Sequence, residues 1–205
     1  MGTPGGVPVQ RNARILSNGA LAMLIFSFAE VMLFAGLVSA FTIAKANALV
    51  WPPPGQPRLP AFETAFNTLA LLLSGFFLYR AQLEYWRSKE ATSAPVVVLQ
   101  RPAAAARTPF LISILLGAFF VLFQGTEWVA LLREGLTIAS SQQGGFFYLI
   151  IGMHAAHAIA ALALLVYAYR QLTHGNLTES LFGASTVFWY FVVLVWPVLY
   201  WRVYL

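Results

Sequence analysis

The chain reads as an all-α integral membrane protein, a bundle of five transmembrane helices. Three observations carry that reading. The composition is 60% hydrophobic and only 9% charged, with a mean hydropathy of +0.73, far outside the range of soluble domains. Five apolar stretches, at 15–44, 63–86, 108–132, 144–169 and 181–204, each reach the roughly 20 residues that cross about 30 Å of hydrocarbon at 1.5 Å per residue. Each stretch also carries one or two polar side chains at similar depth, which a membrane protein turns toward its own interior.

Taken in order, residues 1–14 are rich in Gly and Pro and are expected to form a flexible cytoplasmic tail. The apolar run after Arg14 is too long for a signal-peptide h-region, so it is expected to stay as the first span of a single membrane domain, 15–205. The connection 51–60 reads WPPPGQPRLP. Its prolines fix φ and push the residues before them toward extended conformations, which predicts a stiff strap. The stretch 88–107 mixes Ala, Val, Ser, two prolines and three basic residues without a helical apolar period, and is expected to be a flexible cytoplasmic linker. The remaining connections are short, so consecutive helices should pack as antiparallel neighbours. Pro197 should bend the last span.

Charge sets the topology and narrows the function classes. Arg11, Arg14, Arg80, Arg87, Lys89, Arg101, Arg107 and Arg170 fall on one side, and Lys45, Arg58, Arg133 and Arg202 on the other. This bias predicts a cytoplasmic N-terminus and an outside C-terminus in a plasma membrane. The net charge of +5 is spread over connections rather than gathered on one face, which argues against nucleic-acid binding. The absence of cysteine removes disulfides, thiolate metal sites and covalent c-type haem.

Glu30, midway along the first span, is the residue around which the others are expected to gather. An unpaired carboxylate there costs about 3 kcal/mol on insertion scales. The later spans offer Asn67, Ser74, Gln124, Glu127, His154, His157 and Tyr190, predicting a buried polar seam in which Glu30 meets one of His154, His157, Tyr190 and Gln124. His154 and His157 share a helix face, but too few further ligands accompany them for a closed metal or haem site, and the chain is expected to bind no metal. The spans lack the dense ionisable series of a pump and the paired broken helices of a transporter. Trp51, Trp86, Trp128, Trp201 and Tyr204 are expected at the membrane interfaces. Trp189 and Trp196, seven apart, are expected on one packed face.

The segments together resemble cytochrome c oxidase subunit III, the third core subunit of haem–copper terminal oxidases. Phe28-Ala-Glu30-Val-Met-Leu-Phe34 is similar to the family's Ser-Glu-Val segment, with Ala29 for Ser. The run Trp51-Pro52-Pro53-Pro54-Gly55, then Asn67-Thr68 and Leu72-Leu73-Ser74-Gly75, follows its WPP, NT and LL-SG order and is the most specific signal. Gly117, Phe120, Gln124, Glu127 and Trp128 resemble its G-x-x-F-x-x-x-Q-x-x-E-Y helix, with Trp for Tyr, and Gly145-Phe-Phe147 and Gly152-Met-His154-Ala-Ala-His157 resemble its G-F-H-G-x-H-V motif with small-residue variation. Trp189, Trp196 and Tyr200 follow the terminal helix. The chain departs at Gln82 and Leu83, where the family often has a His pair, and at Tyr190 and Val193, where it usually has His and Asp.

The resemblance implies a short five-helix bacterial form lacking the two leading helices of longer members. It further implies a subunit with no chemistry of its own, packed on the catalytic subunit I beside subunit II, in which the haem and copper reside, with a larger respiratory supercomplex as a further setting. Bound structural phospholipid is implied, with Arg80 and Arg170 as headgroup contacts, as is support of proton uptake and stability in aerobic electron transport. The alternatives are an accessory subunit of a nitric oxide reductase and a small independent transporter.

Overall fold

The computed structural model describes residues 16–92 and 104–205. Five α-helices follow one another: α1 (Asn18–Asn47), α2 (Ala61–Thr92), α3 (Ala104–Arg133), α4 (Gln142–His174) and α5 (Glu179–Leu199), the last continued by a π-helical turn, Tyr200–Tyr204. All five are long and apolar enough to cross a membrane, and the described residues contain no strand. The tail 1–14, with Arg11 and Arg14, and the stretch around Arg101 lie outside the described residues.

Local chemistry sets the helix ends. Ser17, Ser141 and Thr178 cap α1, α4 and α5 by accepting hydrogen bonds from Ala20 N, Gly144 N and Leu181 N, which satisfies donors that have no partner in the first turn. After α4, Gly175 takes φ +78° and closes the helix in the left-handed conformation. The helices outrun the apolar stretches at the expected linker: α2 reaches Thr92 and α3 starts at Ala104. Good helix formers occupy both places, Lys89, Glu90 and Ala91 near the end of α2 and three alanines at the start of α3. Polar ties hold this end of the bundle, the end carrying Arg80, Arg87, Lys89, Arg107 and Arg170. Lys89 pairs with Glu179, and Arg107 donates to the Thr173 carbonyl at 3.3 Å. At the opposite end the proline strap leans on the bundle through Trp51, edge-on to Phe41 at 5.5 Å, and Ser140 donates to Gln56 Oε1 at 3.2 Å.

Helices α2 and α3 form a close hairpin, while α1 packs on α5 and α4. The core of the bundle is α5. Its two buried tryptophans reach across to α2, where the Trp189 indole donates to Ser74 Oγ at 3.0 Å and the Trp196 indole to Thr68 Oγ1 at 2.8 Å. Each hydroxyl donates onward, Ser74 to the Ser113 carbonyl of α3 and Thr68 to the Thr64 carbonyl, both at 2.7 Å. Buried polar groups in lipid have no water to fall back on, so these chains of donors leave neither indole unsatisfied.

Small residues make the close approaches possible. A Cβ at Gly117 would lie 2.6 Å from the Trp189 ring, and one at Gly75 would lie 3.0 Å from Val193. At the basic end a Cβ on Gly19 would collide with the Ser180 carbonyl, and one on Gly183 would lie 2.6 Å from Ser17 Oγ. The two N-terminal ends of α1 and α5 therefore touch backbone to backbone, and the two helices run parallel. Gly152 is different, because a Cβ there would meet Trp128 at an ordinary 3.7 Å. Gly55 has open space around it, and its φ of +80° is what requires glycine.

Candidate functional site

The polar side chains collect in three separate places rather than in one seam. The first lies between α1 and α4. His157 Nε2 sits 3.2 Å from Glu30 Oε2, and His157 Nδ1 sits 2.7 Å from the Met153 carbonyl oxygen. A carbonyl only accepts, so Nδ1 carries a proton and Nε2 is the nitrogen that faces the carboxyl. The pair is close but not aligned as a hydrogen bond, since Glu30 Oε2 finds no acceptable angle.

Phenyl rings enclose this pair. Phe26, Phe34, Phe188 and Phe191 place their centroids between 5.7 and 6.2 Å from the His157 ring. Above it runs a membrane-facing groove of about 420 Å³ lined by Met23, Phe26, Ala156, His157, Ala160 and Phe188. One turn away, His154 is fully buried against Trp196 at 5.0 Å, and neither of its ring nitrogens has a hydrogen-bond partner. Ser27 Oγ, one turn before Glu30, is likewise buried and unpaired.

The second cluster joins α2, α3 and the π-helical turn. Glu127 Oε2 accepts from Gln124 Nε2 at 2.6 Å and from Thr64 Oγ1 at 3.0 Å. The second Gln124 amide hydrogen goes to Tyr204 OH at 3.1 Å, and Asn67 Nδ2 donates to the Phe120 carbonyl at 3.1 Å and to Gln124 Oε1 at 3.4 Å. Every amide hydrogen is used, while Glu127 Oε1 and Asn67 Oδ1 remain without partners. The third place is a single bond between α5 and α2, in which Tyr190 OH donates to Gln82 Oε1 at 3.1 Å. Two departures from the family pattern thus meet each other.

Several sequence expectations change here. Of the four candidate partners, Glu30 meets His157; Gln124 is kept away because α5 stands between α1 and the α2–α3 hairpin, and Tyr190, on α5 itself, turns to Gln82 of α2. Depth along a helix fixes height in the membrane, and the direction a side chain faces is set separately. Tyr204 is buried in the Gln124 network instead of marking an interface: the wider π turn swings Val203 and Tyr204 inward and leaves Trp201 and Arg202 exposed. The guanidinium-bearing residues Arg80 and Arg170 are exposed. Thr64, Ser113 and Gln82 were not among the sequence candidates. Both hydroxyls were within reach: Ser113, Gly117, Phe120, Gln124, Glu127 and Leu131 repeat at alternating steps of four and three along the buried face of α3, and Thr64, Asn67, Leu71, Ser74, Leu78 and Ala81 at steps of three and four along that of α2. Among the described residues no group of three or more His, Cys, Asp or Glu is placed to hold a metal ion.

Comparison with known proteins bears on the whole chain. The sequence pattern described as cytochrome c oxidase subunit III matches residues 9–205. A probable cytochrome c oxidase subunit 3 of Nocardia farcinica is 29% identical, covering 100% of this chain and 97% of that protein. One from Mycobacterium leprae is 30% identical over 90% of this chain and 86% of its own length. The cytochrome c oxidase subunit 3 of Latimeria chalumnae is 29% identical over 97% of this chain but 71% of the animal protein. With five apolar helices, the proline strap and the half-buried Glu30 in their places, and with this match over residues 9–205, the chain belongs to the cytochrome c oxidase subunit III family.

Proposed function

We propose that the chain is the non-redox core subunit III of a bacterial haem–copper terminal oxidase. It packs on the oxygen-reducing subunit I beside subunit II in the plasma membrane, with its N-terminus in the cytoplasm and its C-terminus outside. It binds structural phospholipid, and it supports proton uptake and the working lifetime of the complex while electrons pass through haem and copper held by its partners.

The observation that supports this reading most is the family match across residues 9–205 in a chain without cysteine. Its two intramembrane histidines are spent on a carboxyl contact and on aromatic packing. A subunit of this kind acts by holding shape. Glu30 and His157 tie α1 to α4 through a carboxyl–imidazole contact at 3.2 Å, and that contact holds His157 in the lining of a groove between the two helices.

The test is affinity purification of the tagged chain in mild detergent, with mass spectrometry of what accompanies it and oxygen consumption followed over many turnovers. A large haem–copper subunit and a copper-binding subunit II are the expected companions. Recovery of the chain alone, active as a carrier in vesicles, would overturn the assignment, as would recovery with a nitric oxide reductase.

A further inference from the structure

Where α2 begins and α3 ends, at the strap end of the bundle, lies a pocket of about 270 Å³ lined by Arg58 of the strap, Glu63 of α2, Thr126 and Glu127 of α3, and Glu134 just beyond α3. Glu63 and Glu134 are exposed, whereas Glu127 is only 8% exposed. Gln124 and Thr64 hold Glu127 Oε2 and line no part of the pocket, so Oε1 is the oxygen left to an occupant. That oxygen is buried and has no hydrogen-bond donor.

A carboxylate oxygen only accepts, and burying one without a donor is costly. The surroundings deepen the deficit. Three carboxyls line the pocket against one guanidinium, and among the described residues no Lys, Arg or His forms an ion pair with Glu63, Glu127 or Glu134. We propose that the pocket receives one basic side chain from a partner chain lying over the strap end, whose cationic head supplies the donor that Glu127 Oε1 lacks. The inference rests on the reading that the chain works inside an assembly, and it adds the chemistry of one contact.

Charge and spacing select this occupant. Water would supply a donor but leave the excess of negative charge uncompensated. A bare metal ion needs its ligands gathered around one point, and among the described residues no group of three or more carboxyls or histidines is so placed. A guanidinium spreads five donors over a planar fork, and an ammonium carries three at the end of a flexible stem, so either reaches carboxyls that stand farther apart. The methylene stem of such a side chain has Ala130 and Leu131 to lie against. The contact is selective, because removing either member leaves the other charge without its partner.

The test is carboxyl labelling of the tagged chain with the subunits that accompany it. A water-soluble carbodiimide with glycinamide converts accessible carboxyls to amides, and peptide mass spectrometry reads Glu63 and Glu134 separately. Both should label about fivefold more slowly in the assembly than in the same chain separated from its partners, the scale of a well-formed exposed ion pair. In Glu134→Gln the protection of Glu63 should largely disappear, and in Glu63→Gln that of Glu134, since each lost charge loosens the hold on one shared cation. The thermal midpoint of the separated chain should not move in either variant, because neither carboxyl forms an ion pair within the chain. Equal labelling with and without partners would overturn the proposal. So would protection that persists in both variants, which means a cover without charge, or protection that a chelator removes and calcium restores, which means a metal ion. Free labelling in an assembly that contains subunits I and II would sink the pocket and leave the oxidase reading standing. An assembly without those subunits would sink the oxidase reading, and labelling within it would still decide the pocket.

Discussion

Glu30→Leu separates a structural role of the half-buried carboxyl from a chemical one. In the folded chain the Nδ1 proton of His157 is already bonded to the Met153 carbonyl, so Glu30 is what Nε2 faces at 3.2 Å. Leucine strands that nitrogen inside a cage of four phenyl rings, and stranding a buried polar group costs about 1–3 kcal/mol. Interhelical hydrogen bonds in membranes average about 0.6 kcal/mol and reach about 1.7, so the lower half of that range is expected. A loss of about 1–2 kcal/mol lowers the folded-to-unfolded ratio by a factor of about 5–30. Glu30→Gln keeps the shape and offers an amide donor to Nε2, so its loss should stay near or below about 0.6 kcal/mol. The double change Glu30→Leu with His157→Phe removes both partners and should recover much of the damage, because replacing both members of a buried pair by apolar groups is close to neutral. The assay is the denaturation midpoint of the chain in bicelles, with oxygen consumption over many turnovers by the purified complexes. If the double variant proves less stable than Glu30→Leu alone, the pairing argument is wrong. If Glu30→Gln abolishes turnover at once with assembly and haem spectra intact, the carboxyl carries an obligatory proton and the supporting role proposed for it fails.

The natural chain has no cysteine, so single cysteines report topology cleanly. Asn176→Cys in the turn between α4 and α5 should react with a membrane-impermeant thiol reagent only from the cytoplasm, and Ala139→Cys only from outside; the reverse pattern would invert the orientation. Gly117→Ala drives a Cβ into the Trp189 ring and should destabilise by about 1–3 kcal/mol. Gly152→Ala, with room at 3.7 Å, should instead stabilise by about 0.4–1 kcal/mol through the unfolded state; equal thermal midpoints for the two would contradict the packing described. Ser74→Ala removes the acceptor of the Trp189 indole and should cost about 1–3 kcal/mol. Pairing it with Trp189→Phe should add little more, and a double-variant midpoint shift equal to the sum of the single shifts would refute the link.

The spans were legible because length and hydropathy alone force them, and the buried face of α3 was legible because its residues repeat at steps of four and three. Trp189 and Trp196, read as one face from their separation of seven, do share a face, the one turned to α2. What escaped is orientation around each axis. Tyr190 stands on α5, which packs directly on α1, yet turns to Gln82 of α2; Gln124 is cut off because α5 separates α1 from the α2–α3 hairpin, and no single-span pattern encodes which helix stands between two others. The linker was misjudged at its ends for a related reason. An apolar period marks where a helix is buried in lipid, whereas Lys89, Glu90, Ala91 and the alanines at 104–106 continue a helix on propensity alone. Tyr204 was misplaced because a π turn at the end of a span leaves no periodic trace, and the turn determines which aromatic faces water and which faces Gln124.

The parallel pairing of α1 with α5 has a consequence for how the chain is made. Helix α1 docks on α5, which is made well after it, and its carboxyl waits for a histidine about 130 residues downstream, which takes roughly 6 to 25 s at ordinary synthesis rates. During that interval α1 stands in the bilayer with Glu30 unmatched, while the α2–α3 hairpin can already close on itself. Assembly must therefore run inward from the hairpin, and α1 is housed only when α5 arrives to close the glycine contacts at Gly19 and Gly183. Ribosomes stalled within α5 should yield nascent chains whose α1 is still open to the insertion machinery.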